Sequence, residues 1–64
     1  MMATVTYPCY WQKKDAKGHW YWIYYASNGL AIARSSESYV AKADCDRSIQ
    51  ILKASASSPE FYDA

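Results

Sequence analysis

Three places in this 64-residue chain carry side chains of a type that could do chemistry: His19, the cysteines Cys9 and Cys45, and the cluster Ser35-Ser36-Glu37. Nucleophilic catalysis needs a nucleophile within hydrogen-bond reach of a base that is itself oriented by a third group. His19 is the single histidine and follows Gly18 at a turn, and no Gly-x-Ser-x-Gly elbow is present, so it reads as a solvated turn residue. Cys45 falls near the start of a helical pattern, where a thiol can be activated. Asp44 and Asp46 flank it and oppose thiolate formation, which makes a buried structural thiol the expected state. Cys9, His19 and Cys45 lack the paired spacing of a zinc site, so neither metal nor cofactor is expected. Ser35, Ser36 and Glu37 read as hydroxyls bonding the backbone of a turn, with the carboxylate near the positive end of the following helix. With no phosphate-cradling glycine pattern either, the expectation is a protein that is not an enzyme.

The elements that must position these groups follow from alternation and turn residues. Thr6 to Lys13 reads as a first strand whose start is confined by Pro8, because proline cannot donate to a ladder. Lys14-Asp15-Ala16-Lys17-Gly18 supplies a turn, and His19 to Ser27 and Leu30 to Ser35 form the second and third strands of an antiparallel meander. Asn28-Gly29 predicts a two-residue type I′ turn that pairs Ser27 with Leu30, Ala26 with Ala31, Tyr24 with Ala33 and Trp22 with Ser35. This register sorts Trp20, Trp22, Tyr24, Ala26, Ala31 and Ala33 onto one face. Tyr21, Ile23, Tyr25, Ile32 and Arg34 fall on the other. A helix is expected over 42–54, with Ala41, Cys45, Ile49, Leu52 and Ala56 as its apolar stripe and no capping side chain at Val40 or Ala41. After a linker ending in Pro59, Glu60-Phe61-Tyr62-Asp63 could form a short fourth strand over 60–63.

Length allows one domain, 1–64, of the α+β class. A chain this short buries only about 60% of the surface its unfolded form exposes, so its core needs help, and two cysteines permit one disulfide at most. Both are expected to be reduced thiols, which leaves self-association as the favoured help. The first residues show no basic segment followed by an apolar core, and no apolar run reaches the length of a membrane span, so a cytoplasmic protein that does not engage membranes is expected. Net charge is +1, far from the large basic excess that phosphate-dominated nucleic-acid binding usually shows. Three Trp, seven Tyr and one Phe exceed what so small a core can hide.

The order Trp20-x-Trp22-x-Tyr24-x-Ala26-x-Asn28-Gly29, then Ile32-Ala33-x-Ser35-Ser36-Glu37-x-Tyr39, then Asp44-Cys45, Ile49 and Lys53, resembles the YegP-like family. These are small bacterial and archaeal domains whose function is not established. The resemblance implies a β-β-β-α-β unit, present once here and therefore a homodimer. In it two units share one antiparallel sheet by exchanging C-terminal strands, with the helices on one side. It gives Phe61 and Tyr62 the task of extending the partner's sheet edge. Positions 23 and 25 are commonly basic or polar in that family, whereas this chain has Ile23 and Tyr25.

The face holding Tyr21, Ile23, Tyr25, Ile32 and Arg34 is the candidate binding surface, since helices on the opposite side leave its rings to water. Such rings also stack across strands and stabilise the sheet by about 0.2 to 1 kcal/mol per pair. Two binding functions fit: an interaction module for a protein or peptide, or single-stranded nucleic-acid binding. In the latter, Tyr21 and Tyr25 would stack bases, and Arg34 with Lys13 or Lys14 would meet phosphates. The low net charge argues against nucleic acid.

Overall fold

The computed structural model describes residues 5–63. The domain bounds expected from the sequence run past these residues at both ends. Strands β1 (Cys9–Lys14), β2 (Trp20–Tyr25) and β3 (Ala31–Arg34) form one antiparallel sheet in the order β1-β2-β3, and helix α1 (Lys42–Ala54) follows. The architecture is the expected α+β meander and helix. β1 begins directly after Pro8 rather than at Thr6, as expected of a residue with no N–H to offer a ladder.

Both hairpins use one turn geometry. Asp15 donates its N–H to the His19 carbonyl while Gly18 donates to that of Asp15, and Ala26 and Gly29 repeat the pattern with Leu30 and Ala26. Each loop therefore has three residues, with glycine alone in the left-handed region, at φ 79° for Gly18 and 83° for Gly29. This is a type I turn closed by a glycine bulge. It corrects the expected type I′ turn, because Asn28 keeps a negative φ and uses its side-chain oxygen to accept the Leu30 N–H at 3.1 Å. The correction moves part of the register. Tyr24 still pairs with Ala33, and Ser35 still donates to the Trp22 carbonyl. A bulge then places Tyr25 opposite Ala31, so Ala31 joins the face of Tyr25 rather than that of Trp22.

The core sits between the sheet and α1. Trp22, Cys45 and Ile49 are buried at 6%, 0% and 4% exposure, with Tyr10, Trp20, Tyr24 and Tyr39 packed around them. Burying side chains of this size contributes about 1.5 to 3 kcal/mol each, and this small cluster has few of them. Of the expected helical stripe, Cys45 and Ile49 are covered, whereas Ala41, Leu52 and Ala56 are exposed. The sheet packs against only part of that stripe.

Ala41 caps α1 without a side-chain hydrogen bond, as its type dictates. Asp44 in the first turn and Lys53 in the last suit the helix dipole. Beyond Ser55 the chain forms no strand, and Phe61 and Tyr62 are 90% and 92% exposed. The fourth strand expected over 60–63 is thus absent from the single chain. Among the described residues, no helix is long and apolar enough to cross a membrane.

Candidate functional site

Alternation along β1 and β2 decides which rings the helix covers. Tyr10, Gln12 and Lys14 pair with Tyr24, Trp22 and Trp20. Cys9, Trp11 and Lys13 pair with Tyr25, Ile23 and Tyr21, which places them on the opposite, outer face. There Tyr21, Ile23 and Tyr25 are half-buried, and Ile32 and Arg34 of β3 are exposed. The structure thus brings together all five residues expected of the binding surface. It adds Tyr7, Trp11 and Lys13.

Tyr25 is the hub of this face. Its ring meets Tyr7 edge-on at 5.7 Å and 68°, and Trp11 at 5.8 Å and 57°. Lys13 donates a hydrogen bond from Nζ to the Tyr25 hydroxyl at 3.0 Å, and the same ammonium lies 4.6 Å from the centre of the Trp11 ring. That hydrogen bond is the main reason the Lys13 pKa lies above its ordinary value. Arg34 sits over Tyr21, 5.3 Å from its ring centre. Ile23, Ile32 and Arg34 border a shallow hollow beside these rings.

Of the groups whose type could do chemistry, Ser35 and Cys45 are buried in the fold. Ser35 is buried, accepts the Trp22 N–H at 3.3 Å and donates to the Glu37 carbonyl at 2.9 Å. It ties β3 to β2, whereas Ser36 and Glu37 are exposed. Cys45 is fully buried, and burial pushes its thiol pKa up, with the Asp46 charge adding to the effect. The His19 N–H donates to the Asp15 carboxylate at 2.9 Å, which also accepts from Lys17. These bonds hold the Asp15 pKa below the usual carboxylate range. No three His, Cys, Asp or Glu side chains come together as a metal site among the described residues.

The helix side carries polar contacts of its own. The Trp22 indole donates to Ser48 Oγ at 2.9 Å, and Ser48 donates in turn to the Cys45 carbonyl at 2.7 Å. Gln12 donates to the Asp46 carboxylate, the main cause of that group's lowered pKa, with Lys42 contributing. Lys14 and Lys42 both lie over Trp20 on this side. Lys14 is therefore not available to the outer face.

Trp11 and Lys13 were legible in principle. Once Ala16 to Gly18 is read as a three-residue loop, counting back from Tyr21 places Lys13 opposite it and Trp11 opposite Ile23. Tyr7 lies before β1 and carries no such signal.

Residues 15–63, most of the chain, match the family model described as Domain of unknown function (DUF1508). This is the same domain family as the YegP-like one. Neither curated proteins nor solved structures gave a match.

Proposed function

The chain belongs to the DUF1508 domain family, and from that premise we propose a non-enzymatic interaction module that acts as a homodimer and binds a protein or peptide partner on the outer face of its sheet. The observation that carries the reading is the cluster of Tyr21, Ile23, Tyr25, Ile32 and Arg34 on the face that α1 leaves open. With Tyr7, Trp11 and Lys13 it makes a continuous ring-rich surface on the side away from α1. Exposed apolar surface of this kind commonly marks an interface.

Self-association is supported by the small core and by the C-terminal segment, whose Phe61 and Tyr62 rings lie in water in the single chain. β1 is an edge strand, paired on one side with β2, so its other side offers free backbone groups to a strand from a second copy. The expected outcome is a dimer by light scattering for the full chain and a monomer or an unstable protein for a chain ending at Ser58. A stable dimer from the shorter chain removes strand exchange.

The surface is tested by pull-down from lysate, comparing wild type with a Tyr21→Ser, Ile23→Ser, Tyr25→Ser variant whose fold and dimer state are first verified. Loss of bound partners supports the reading. Equal recovery of every partner rejects it.

Single-stranded nucleic acid is the second reading, and Lys13 and Arg34 beside Tyr21 and Tyr25 are the observation in its favour. Titration with short single strands at low salt should then shift the Tyr21 and Tyr25 resonances. No shift removes it.

A further inference from the structure

We propose that the outer face selects an acidic peptide, in which carboxylates flanking an apolar side chain meet Lys13 and Arg34 while that side chain enters the hollow beside Ile23 and Ile32. This rests on the reading of the face as a binding surface and names the chemistry of its occupant.

The first support is charge segregation. The chain has seven cationic side chains and six carboxylates, and two of the cations, Lys13 and Arg34, lie on the outer face. None of the carboxylates stands on the strands that build it: Asp15 is in the first turn, Glu37 follows β3, Asp44 and Asp46 are on α1, and Glu60 and Asp63 lie in the C-terminal segment. A near-neutral protein thus carries its uncompensated positive charge on this surface. The remainder has five cations against six carboxylates.

The second support is that both cations are already placed. Lys13 is held by the Tyr25 hydroxyl and the Trp11 ring, and Arg34 by the Tyr21 ring, so each loses less rotamer freedom on binding than a free surface side chain. An ammonium has three donors, and Tyr25 uses one for Lys13. The guanidinium offers a planar fork that matches a carboxylate. Ile23, Ile32 and Arg34 border the same hollow, which places an apolar contact next to a cation.

The rings themselves disfavour base stacking as the alternative. Stacking of successive bases needs open ring faces, but Lys13 and Arg34 stand over Trp11, Tyr25 and Tyr21. The Tyr7 and Trp11 rings are also tilted from Tyr25 by 68° and 57°, so these three offer no parallel platforms.

The test titrates the full chain, followed by backbone amide shifts, with three probes: a capped peptide alternating glutamate and phenylalanine, its lysine and phenylalanine counterpart, and a ten-nucleotide oligothymidine. The expected result is saturable binding of the acidic peptide with shifts centred on Lys13, Tyr21, Ile23, Ile32 and Arg34. Affinity should fall about tenfold or more in the Lys13→Gln, Arg34→Gln variant, which removes both charged donors from the face. The Lys13→Arg variant should keep most of it. No binding of the acidic peptide, equal binding of the basic one, tighter binding of the oligonucleotide, or no effect of the double variant each overturns the inference. Failure here with partner loss in the Tyr21, Ile23 and Tyr25 variant leaves the binding surface standing and rejects only its acidic preference.

Discussion

The two faces of this sheet are built from nearly the same residue types and meet different fates. On one face Trp22 and the rings of Tyr10, Trp20 and Tyr24 close over Cys45 and Ile49 of α1. On the other, Tyr7, Trp11, Tyr21 and Tyr25 are covered by one another and by Lys13 and Arg34. Strand alternation divides the rings, and the one helix can lie on one side only. The difference teaches that aromatic content in a small domain does not measure its core. What matters is whether a ring packs against the apolar residues of another element, as Trp22 does against Cys45 and Ile49.

Four measurements break or sharpen this contrast, beginning with the largest effect. Trp22→Ala removes the buried ring and should cost about 3 to 5 kcal/mol, enough to unfold so small a domain, while Tyr21→Ala on the outer face should cost about 1 kcal/mol or less. Equal losses in urea melts would erase the distinction between the faces. Ser35→Ala comes next. It leaves the Trp22 N–H without its buried side-chain partner, and about 1 to 3 kcal/mol should be lost, whereas Ser36→Ala should be nearly silent. A silent Ser35→Ala would return that serine to the list of candidate site residues.

Ala41→Asn should raise stability by about 0.5 to 1 kcal/mol, because the observed cap supplies no side-chain acceptor to the first turn of α1. An unchanged melting midpoint contradicts this. The smallest effect concerns pH. The Gln12 hydrogen bond and the Lys42 charge depress the Asp46 pKa in the folded state, so their contribution is present above the ordinary value of 3.8 and disappears as pH falls through the folded value. Asp46→Asn keeps an acceptor for Gln12 and should flatten the acid limb of the stability profile. An identical limb in the variant would mean that the pairing does not stabilise the helix face.

Much of this arrangement was legible in the residues. The helix runs over Lys42–Ala54 as its periodicity predicts, and the placement of Trp20, Trp22 and Tyr24 under it follows from alternation alone. Local turn geometry was less legible. Asn-Gly suits a two-residue type I′ turn and also the last two positions of a three-residue loop; glycine takes positive φ in both, whereas asparagine does so only in the type I′ turn. The choice depends on how the ends of β2 and β3 pair, which is a property of the ladder rather than of the turn. The bulge that moved Ala31 to the face of Tyr25 followed from that choice. The helical stripe at Leu52 was overread for a related reason, since periodicity gives the face of a helix but not how much of it the sheet reaches.

The outer face was half legible. Tyr21, Ile23, Tyr25, Ile32 and Arg34 follow from β2 and β3, but Trp11 and Lys13 enter through the pairing of β1, and Tyr7 through contact with Tyr25. The result is a hub at Tyr25 that strand patterns do not show. Its hydroxyl fixes a lysine, and its ring joins two neighbours.

The central claim is that this outer face binds while the opposite face holds the fold. Partner recovery by the folded Tyr21→Ser, Ile23→Ser, Tyr25→Ser protein measures it most directly. Loss of the partners that wild type retains is expected, with secondary structure and oligomeric state unchanged. Full recovery of those partners by the folded variant would contradict it.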